Sequence, residues 1–224
     1  MRSWRVATVV EVVEETPSAH SLVLDIPGWQ GAVAGQHLDV RLTAPDGYQA
    51  SRSYSLASGP REAPMITVQR VDDGEVSPYL VDGVEVGEQL EVLGPLGGYF
   101  VWHGGSAPVL LVGGGSGIVP LRSIWRARSA ATPMRVFYSA RGMDRVLYGR
   151  EIEELDVQTV VHLTRERVDG YGYGRLDAAQ VQAAITTPES DVYICGPTVF
   201  VESMAQAVLA AGVPAPQIRT ERFG

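Results

Sequence analysis

The first hundred residues read as short alternating or β-branched runs, at 5–13, 21–26, 38–42, 54–57, 66–71 and 89–93. Pro17, Pro27-Gly28, Asp46-Gly47, Gly59-Pro60 and Asp72-Asp73-Gly74 separate them. Close-set strands with such turn residues predict an antiparallel barrel or sandwich, with one short helix over 77–81. After Pro108 the period changes. A wholly apolar run at 109–112 meets a glycine-rich turn, and a helical stretch follows over 118–131. Strands at 134–138, 157–163 and 192–195 then alternate with helices at 147–155, 178–184 and 198–211. That alternation predicts a parallel sheet covered on both faces. The change falls near His103-Gly104-Gly105-Ser106. Two domains are therefore expected, an all-β one over 1–103 and an α/β one over 104–224.

Composition narrows the chemistry. The chain has 224 residues, 45% of them hydrophobic and 20% charged, enough for two small cored domains. Its formal charge of −8 argues against nucleic acid or an anionic membrane as partner. All 18 basic residues are arginine, so a P-loop lysine, a Schiff-base lysine and a lysine base are excluded. Cys195 is the only cysteine, which rules out an intrachain disulfide, a four-cysteine zinc site or an iron–sulfur cluster held by this chain. The four histidines lack metal-ligand spacing. Glu11, Glu14 and Glu15 interrupt any leader-like apolar stretch, and the run at 109–112 is too short to span a bilayer. A cytoplasmic protein is expected, using an organic cofactor.

Two motifs suggest which cofactor. Gly113-Gly114-Gly115-Ser116-Gly117-Ile118-Val119-Pro120 follows the apolar strand and opens a helix. Glycines let a pyrophosphate approach the backbone closely, and a helix start offers unpaired N–H groups. The core of the motif, Gly115, Ser116, Gly117 through Pro120, reads G-x-G-x-x-P rather than the commoner G-x-G-x-x-G. The next strand ends Ser139-Ala140-Arg141 with no acid before Asp144, and the third ends Thr164-Arg165-Glu166-Arg167. Arginines at the carboxyl ends of adjacent strands suit a 2′-phosphate, which favours NADP(H) over NAD(H). In the β half, Arg52-Ser53-Tyr54-Ser55-Leu56-Ala57-Ser58, at the edge of a predicted strand, offers a cation, a flat ring and hydroxyls.

Read jointly, these segments resemble the ferredoxin–NADP reductase family. Arg52-x-Tyr54-Ser55-x-x-Ser58 is similar to its flavin motif, and Gly74-Glu75-Val76-Ser77 to its second pyrophosphate-binding turn. Gly94-Pro95-Leu96-Gly97-Gly98-Tyr99-Phe100 resembles the segment that closes its barrel, and Cys195-Gly196-Pro197 its C-G-P signature. The resemblance implies a Greek-key FAD-binding barrel and a Rossmann-like NAD(P)-binding domain, with the isoalloxazine at their interface. It implies that Arg52 and Ser77 hold the flavin pyrophosphate, helped by the backbone from Gly74 to Val76. Tyr54 then packs on the ring, Ser55 lies near flavin N5, and Gln69, Arg70 and Val71 run along the AMP or ribityl part. Cys195, with Gly196 and Pro197, sits close to the nicotinamide C4 as a small polarizable group.

The end of the chain, Arg219-Thr220-Glu221-Arg222-Phe223-Gly224, resembles the Glu-x-Phe ending of oxygenase reductases. That makes Glu221 and Phe223 candidates for positions beside the ring, although chain ends are usually mobile. With one cysteine the chain lacks the ligands of a fused ferredoxin domain, so the iron–sulfur carrier is expected to be a separate protein. The implied function is an FAD-dependent NADPH oxidoreductase, monomeric, serving a ferredoxin, P450 or oxygenase component. A flavin reductase that releases free reduced flavin, and a flavin- or nucleotide-binding regulatory module without turnover, are the rival readings.

Overall fold

The computed structural model describes residues 3–223. They separate into two compact units, one running to His103 with the addition of Arg122–Ala127, the other comprising Gly104–Leu121 and the residues from Arg128 onward.

In the first unit, β1 (Arg5–Thr16), β2 (Ala19–Asp25), β3 (His37–Thr43), β4 (Gln49–Ser55), β5 (Met65–Gln69) and β6 (Gln89–Leu96) form one antiparallel sheet. Its order is β4-β3-β6-β1-β2-β5. An isolated bridge between Leu56 and Ile66 joins the two ends, which closes the sheet into the expected barrel. Alternation places Ala7 and Val9 of β1 inside, whereas Val6 and Val10 face outward. Leu22, Leu24, Leu38, Val40, Ile66, Val68 and Val92 fill the barrel, joined by Leu80 of α1 (Ser77–Asp82) and by Val76 just before it. Proline in the first turn of α1 is tolerated because that N–H has no helical partner.

One boundary moved. The sequence pattern predicts a strand only over 54–57, but β4 begins at Gln49 and ends at Ser55. The polar stretch Gln49 to Ser53 has no apolar signal of its own. The register with β3, Leu42 opposite Ala50 through Leu38 opposite Tyr54, imposes the strand.

The second unit carries β7 (Val109–Gly114), β8 (Met134–Ala140), β9 (Gln158–Leu163), β10 (Gly172–Tyr173), β11 (Asp191–Pro197) and β12 (Ile218–Phe223), all parallel. The order is β10-β9-β8-β7-β11-β12. Every residue of the central β7 is buried, as a strand covered on both faces requires. The helices are α2 (Ile118–Ala127), α3 (Gly149–Glu154), α4 (Ala178–Ala184) and α5 (Thr198–Ala210). Helix α3 starts later than the pattern predicts, because Tyr148 before it takes a left-handed φ of 57°. The final segment is not a frayed tail: it is β12, paired along its length with β11. No helix among the described residues is long and apolar enough to cross a membrane.

Candidate functional site

The first cluster of candidate residues gathers on β4 and the turn before α1. Arg52 is exposed, its Nη1 donating to the Ser51 carbonyl at 2.8 Å and its Nη2 to Glu75 Oε2 at 2.9 Å. Tyr48 completes the group by donating its hydroxyl to Glu75 Oε1 at 2.8 Å. The Tyr48 hydrogen bond and the Arg52 guanidinium hold the Glu75 carboxyl below its usual range. Behind Glu75 the turn is tight. The Gly74 N–H donates to the Val71 carbonyl at 2.9 Å, and the buried Ser77 Oγ accepts from the Val71 N–H at 3.0 Å. A Cβ on Gly74 would lie 3.0 Å from both the Ser77 Oγ and the Val71 carbonyl. Glycine there lets the turn close tightly beside the arginine, and backbone N–H groups of such a turn next to a guanidinium fit a pyrophosphate.

Tyr54 and Ser55, as neighbours on a strand, leave β4 on opposite faces. Tyr54 packs partly against the barrel core, and burial pushes its hydroxyl up to about 12. Ser55 is buried opposite His37 of β3. Arg70, by contrast, is already engaged: its guanidinium pairs with Asp82 at 2.7 Å and with Asp72. Gln69 is half-buried, Val71 is exposed, and Val76 belongs to the core.

The second cluster forms where β7 and β11 end. Gly115–Gly117 makes one turn of 3-10 helix leading into α2, with Gly115 at φ 57° and open space where its Cβ would be. Gly117 is the opposite case. A Cβ there would stand 2.2 Å from the Cys195 carbonyl oxygen and 2.7 Å from the Gly196 nitrogen. Gly196 in turn could carry a side chain only 2.9 Å from the Gly114 carbonyl. The glycine-rich turn and the Cys195-Gly196-Pro197 segment thus cross backbone to backbone. The sequence showed two separate motifs; the fold makes them one corner, with Gly115 and Ser116 at its open side. Pro120 falls inside the first turn of α2, where proline displaces no helical bond.

Within that corner Cys195 is fully buried, between Gly113 of β7 and Glu221 of β12 in register. Burial raises its ionisation well above the ordinary thiol value, and Glu221 adds to the effect. A thiol kept neutral in this way is not a nucleophile. Strand β12 also sets Phe223, half-buried, opposite Pro197.

The third group lies at the carboxyl ends of β8 and β9. The Thr164 N–H donates to the Ala140 carbonyl at 2.9 Å, and the Arg165 N–H to the Arg141 carbonyl at 3.0 Å. Arg141 and Arg165 are therefore brought side by side, both exposed and neither in an ion pair among the described residues. Ser139 stands next to Gly114 on one side and His162 on the other. His162 escaped the sequence reading. It is a buried imidazole whose Nδ1 finds no hydrogen-bond partner among the described residues. Its only signal is a polar residue ending an apolar strand. Tyr48 also escaped, because a turn tyrosine carries no signal until the hairpin sets it beside Glu75.

Comparison with known proteins finds one family model over each half of the chain. A family model described as an oxidoreductase FAD-binding domain matches residues 7–101, and one described as an oxidoreductase NAD-binding domain matches residues 111–206. The ferredoxin reductase component of 3-ketosteroid-9-alpha-monooxygenase from Mycobacterium tuberculosis (strain CDC 1551 / Oshkosh) is 34% identical, over 96% of this chain and 64% of the relative. The chain thus spans a little under two thirds of that relative's length. Among solved structures, the FAD/NAD-binding domain of nitric oxide dioxygenase from Vibrio cholerae O1 biovar El Tor is 25% identical with a TM-score of 0.87, covering 98% of both chains. An Amycolatopsis cytochrome P450 reductase is also 25% identical, with a TM-score of 0.85, over 100% of this chain and 71% of that one. With an FAD-binding module followed by an NAD-binding module, the chain belongs to the ferredoxin–NADP reductase family and takes FAD and a pyridine nucleotide.

Proposed function

We propose that the chain is an NADPH-oxidising flavoprotein reductase that passes electrons to a separate redox protein, an oxygenase component, a P450 or a ferredoxin. The observation that carries it is that one chain builds two corners, each suited to a nucleotide. One is Arg52 with the Gly74–Ser77 turn, the other the crossing of Gly117 on Cys195. When bound, the two cofactors supply hydride transfer from nicotinamide to flavin and electron departure singly or in pairs.

The chain's own residues bind and orient. Arg52, Ser77 and the backbone of Gly74 and Val76 hold the flavin pyrophosphate, with Gln69, Arg70 and Val71 alongside. Tyr54 and Ser55 flank the ring. Gly115, Ser116, Gly117 and Pro120 cradle the second pyrophosphate at the start of α2. Cys195, Gly196 and Pro197 form the floor under the nicotinamide, with Glu221 and Phe223 at its rim on β12. Orientation of this kind contributes several kcal/mol to lowering a barrier. The oxygenase or P450 partner is supported by the roles of similar proteins, a monooxygenase component and a P450 reductase.

The preference for NADPH rests on Ser139, Arg141, Thr164 and Arg165. Two exposed guanidinium groups without acidic partners among the described residues, joined through their backbones, form a bidentate receptor for a 2′-phosphate. Arg141→Ala and Arg165→Ala are each expected to raise KM for NADPH about tenfold and leave KM for NADH unchanged. Equal effects on both nucleotides would remove these arginines from the phosphate site.

A further inference from the structure

One titratable side chain stands at the flavin corner without a role in the reading above. His37 opens β3, directly opposite Ser55 of β4 and Leu96 of β6. In an antiparallel pair, opposed residues project to the same face, so the imidazole shares the face of Ser55. It is half-buried and lies against Gly97: a Cβ at Gly97 would be 3.2 Å from His37 Nδ1. Glycine at 97 makes room for the ring. The neighbouring backbone is pinned by Gln36, whose Nε2 donates to the Gly97 carbonyl at 3.0 Å and whose carbonyl accepts from the Leu56 N–H at 2.9 Å. The imidazole is therefore held at the same corner as the strand that ends in Ser55.

We infer that His37 is a positioning residue of the flavin site, whose gain and loss of a proton balances the charge placed on the flavin beside Ser55. This rests on the reading of Ser55 as a flavin neighbour. Reduction by a hydride adds two electrons and one proton to the cofactor, and hence one negative charge. The balancing proton is taken from solvent onto the free imidazole nitrogen, and it returns to solvent when the electrons leave for the partner protein.

The surroundings leave the imidazole able to respond. Burial lowers its proton affinity, and Asp39 on the same strand opposes that. Asp39 is itself occupied in accepting from the Ser53 hydroxyl at 2.5 Å. From β4 the ionisable neighbours are Tyr54, neutral to high pH, and Arg52, paired with Glu75. From β6 the adjoining residues Leu96 and Gly97 are uncharged and Glu91 is paired with Arg41, while from β1 the Arg5 guanidinium donates to the Gly94 carbonyl at 2.9 Å. With its neighbours neutral or occupied, the imidazole is left neutral near pH 7, and an added negative charge nearby raises its proton affinity. The coupling is reciprocal, so protonation of His37 favours the reduced cofactor.

The test is NMR titration of the imidazole C–H signals in the FAD-loaded chain, once oxidised and once reduced anaerobically with dithionite. His37→Gln, which keeps a polar side chain and removes the titration, identifies the His37 signal among the four histidines. The expected result is at least a tenfold higher proton affinity of His37 in the reduced protein, with the other histidines unmoved. In parallel, the flavin midpoint potential of His37→Gln loses the bend that the wild-type potential shows against pH at the His37 titration. A bound flavin with identical His37 titrations in both redox states overturns the proposal alone. Failure of the chain to bind FAD overturns it together with the flavin reading.

Discussion

At the scale of single residues, Gly117 is the position with least freedom. Any side chain there meets the Cys195 carbonyl at 2.2 Å, and the obstacle is backbone rather than a flexible side chain. Gly117→Ala is therefore expected to cost about 3 kcal/mol or more of stability, at the upper end of overpacking effects. Urea unfolding of wild type and variant measures it; a loss under 1 kcal/mol would mean that the two motifs do not cross so closely. Cys195 supports a second expectation, this time in pH. Its folded ionisation lies above the unfolded thiol value of 9.0, so its contribution to stability is complete below that pH and declines above it. The decline has a slope of about 1.4 kcal/mol per pH unit. Unfolding of wild type and Cys195→Ala between pH 8 and about 10.5 should show the extra alkaline loss only in the wild type. Parallel curves would place the thiol in contact with water.

At the scale of elements, β12 turns an ending of uncertain order into a structural wall. It covers one side of β11, as β7 covers the other, and places Glu221 beside Cys195. Removing residues from Thr220 onward uncovers that side. Labelling of Cys195 by a thiol reagent at neutral pH is then expected to accelerate at least tenfold. An unchanged rate would show that β7 and α2 alone shield the thiol. Strand β12 was hard to read because only Ile218 of its six residues is buried, while Arg219, Glu221 and Arg222 give it the charged character of an edge strand. Strand β4 hid for a related reason, since its pairing partner, not its own polar residues, makes it a strand. Where burial is two-sided, as in β7 and β11, the strands stand out as apolar runs. The glycine motifs were legible because their chemistry is local. That they form one corner was not, because Gly117 and Cys195 meet only through the parallel register of β7 and β11. The side-by-side placement of Arg141 and Arg165 was legible, since both lie just past the ends of neighbouring strands. His162 and Tyr48 were not, because nothing local marks them.

At the scale of the molecule, composition and fold agree on a division of labour. With no lysine, arginine is the long cationic side chain available for phosphate contacts, and the nucleotide sites proposed above draw on Arg52 in the first unit and on Arg141 and Arg165 in the second. With a single thiol, buried and neutral, the chain offers no redox chemistry of its own at cysteine, and the reactivity proposed for it resides in FAD and pyridine nucleotide. The formal charge of −8 makes any docking surface for an acidic redox partner a local matter of arginine placement and not of overall field.

The central claim is that this chain binds FAD and reduces it with NADPH. Anaerobic stopped-flow mixing of the FAD-loaded protein with NADPH, and in parallel with NADH, tests it most directly. Rapid, complete bleaching of the flavin absorbance by NADPH, at least tenfold faster at limiting concentration than by NADH, is the predicted result. A flavin that stays oxidised with both nucleotides, or a chain that retains no flavin to bleach, would contradict it.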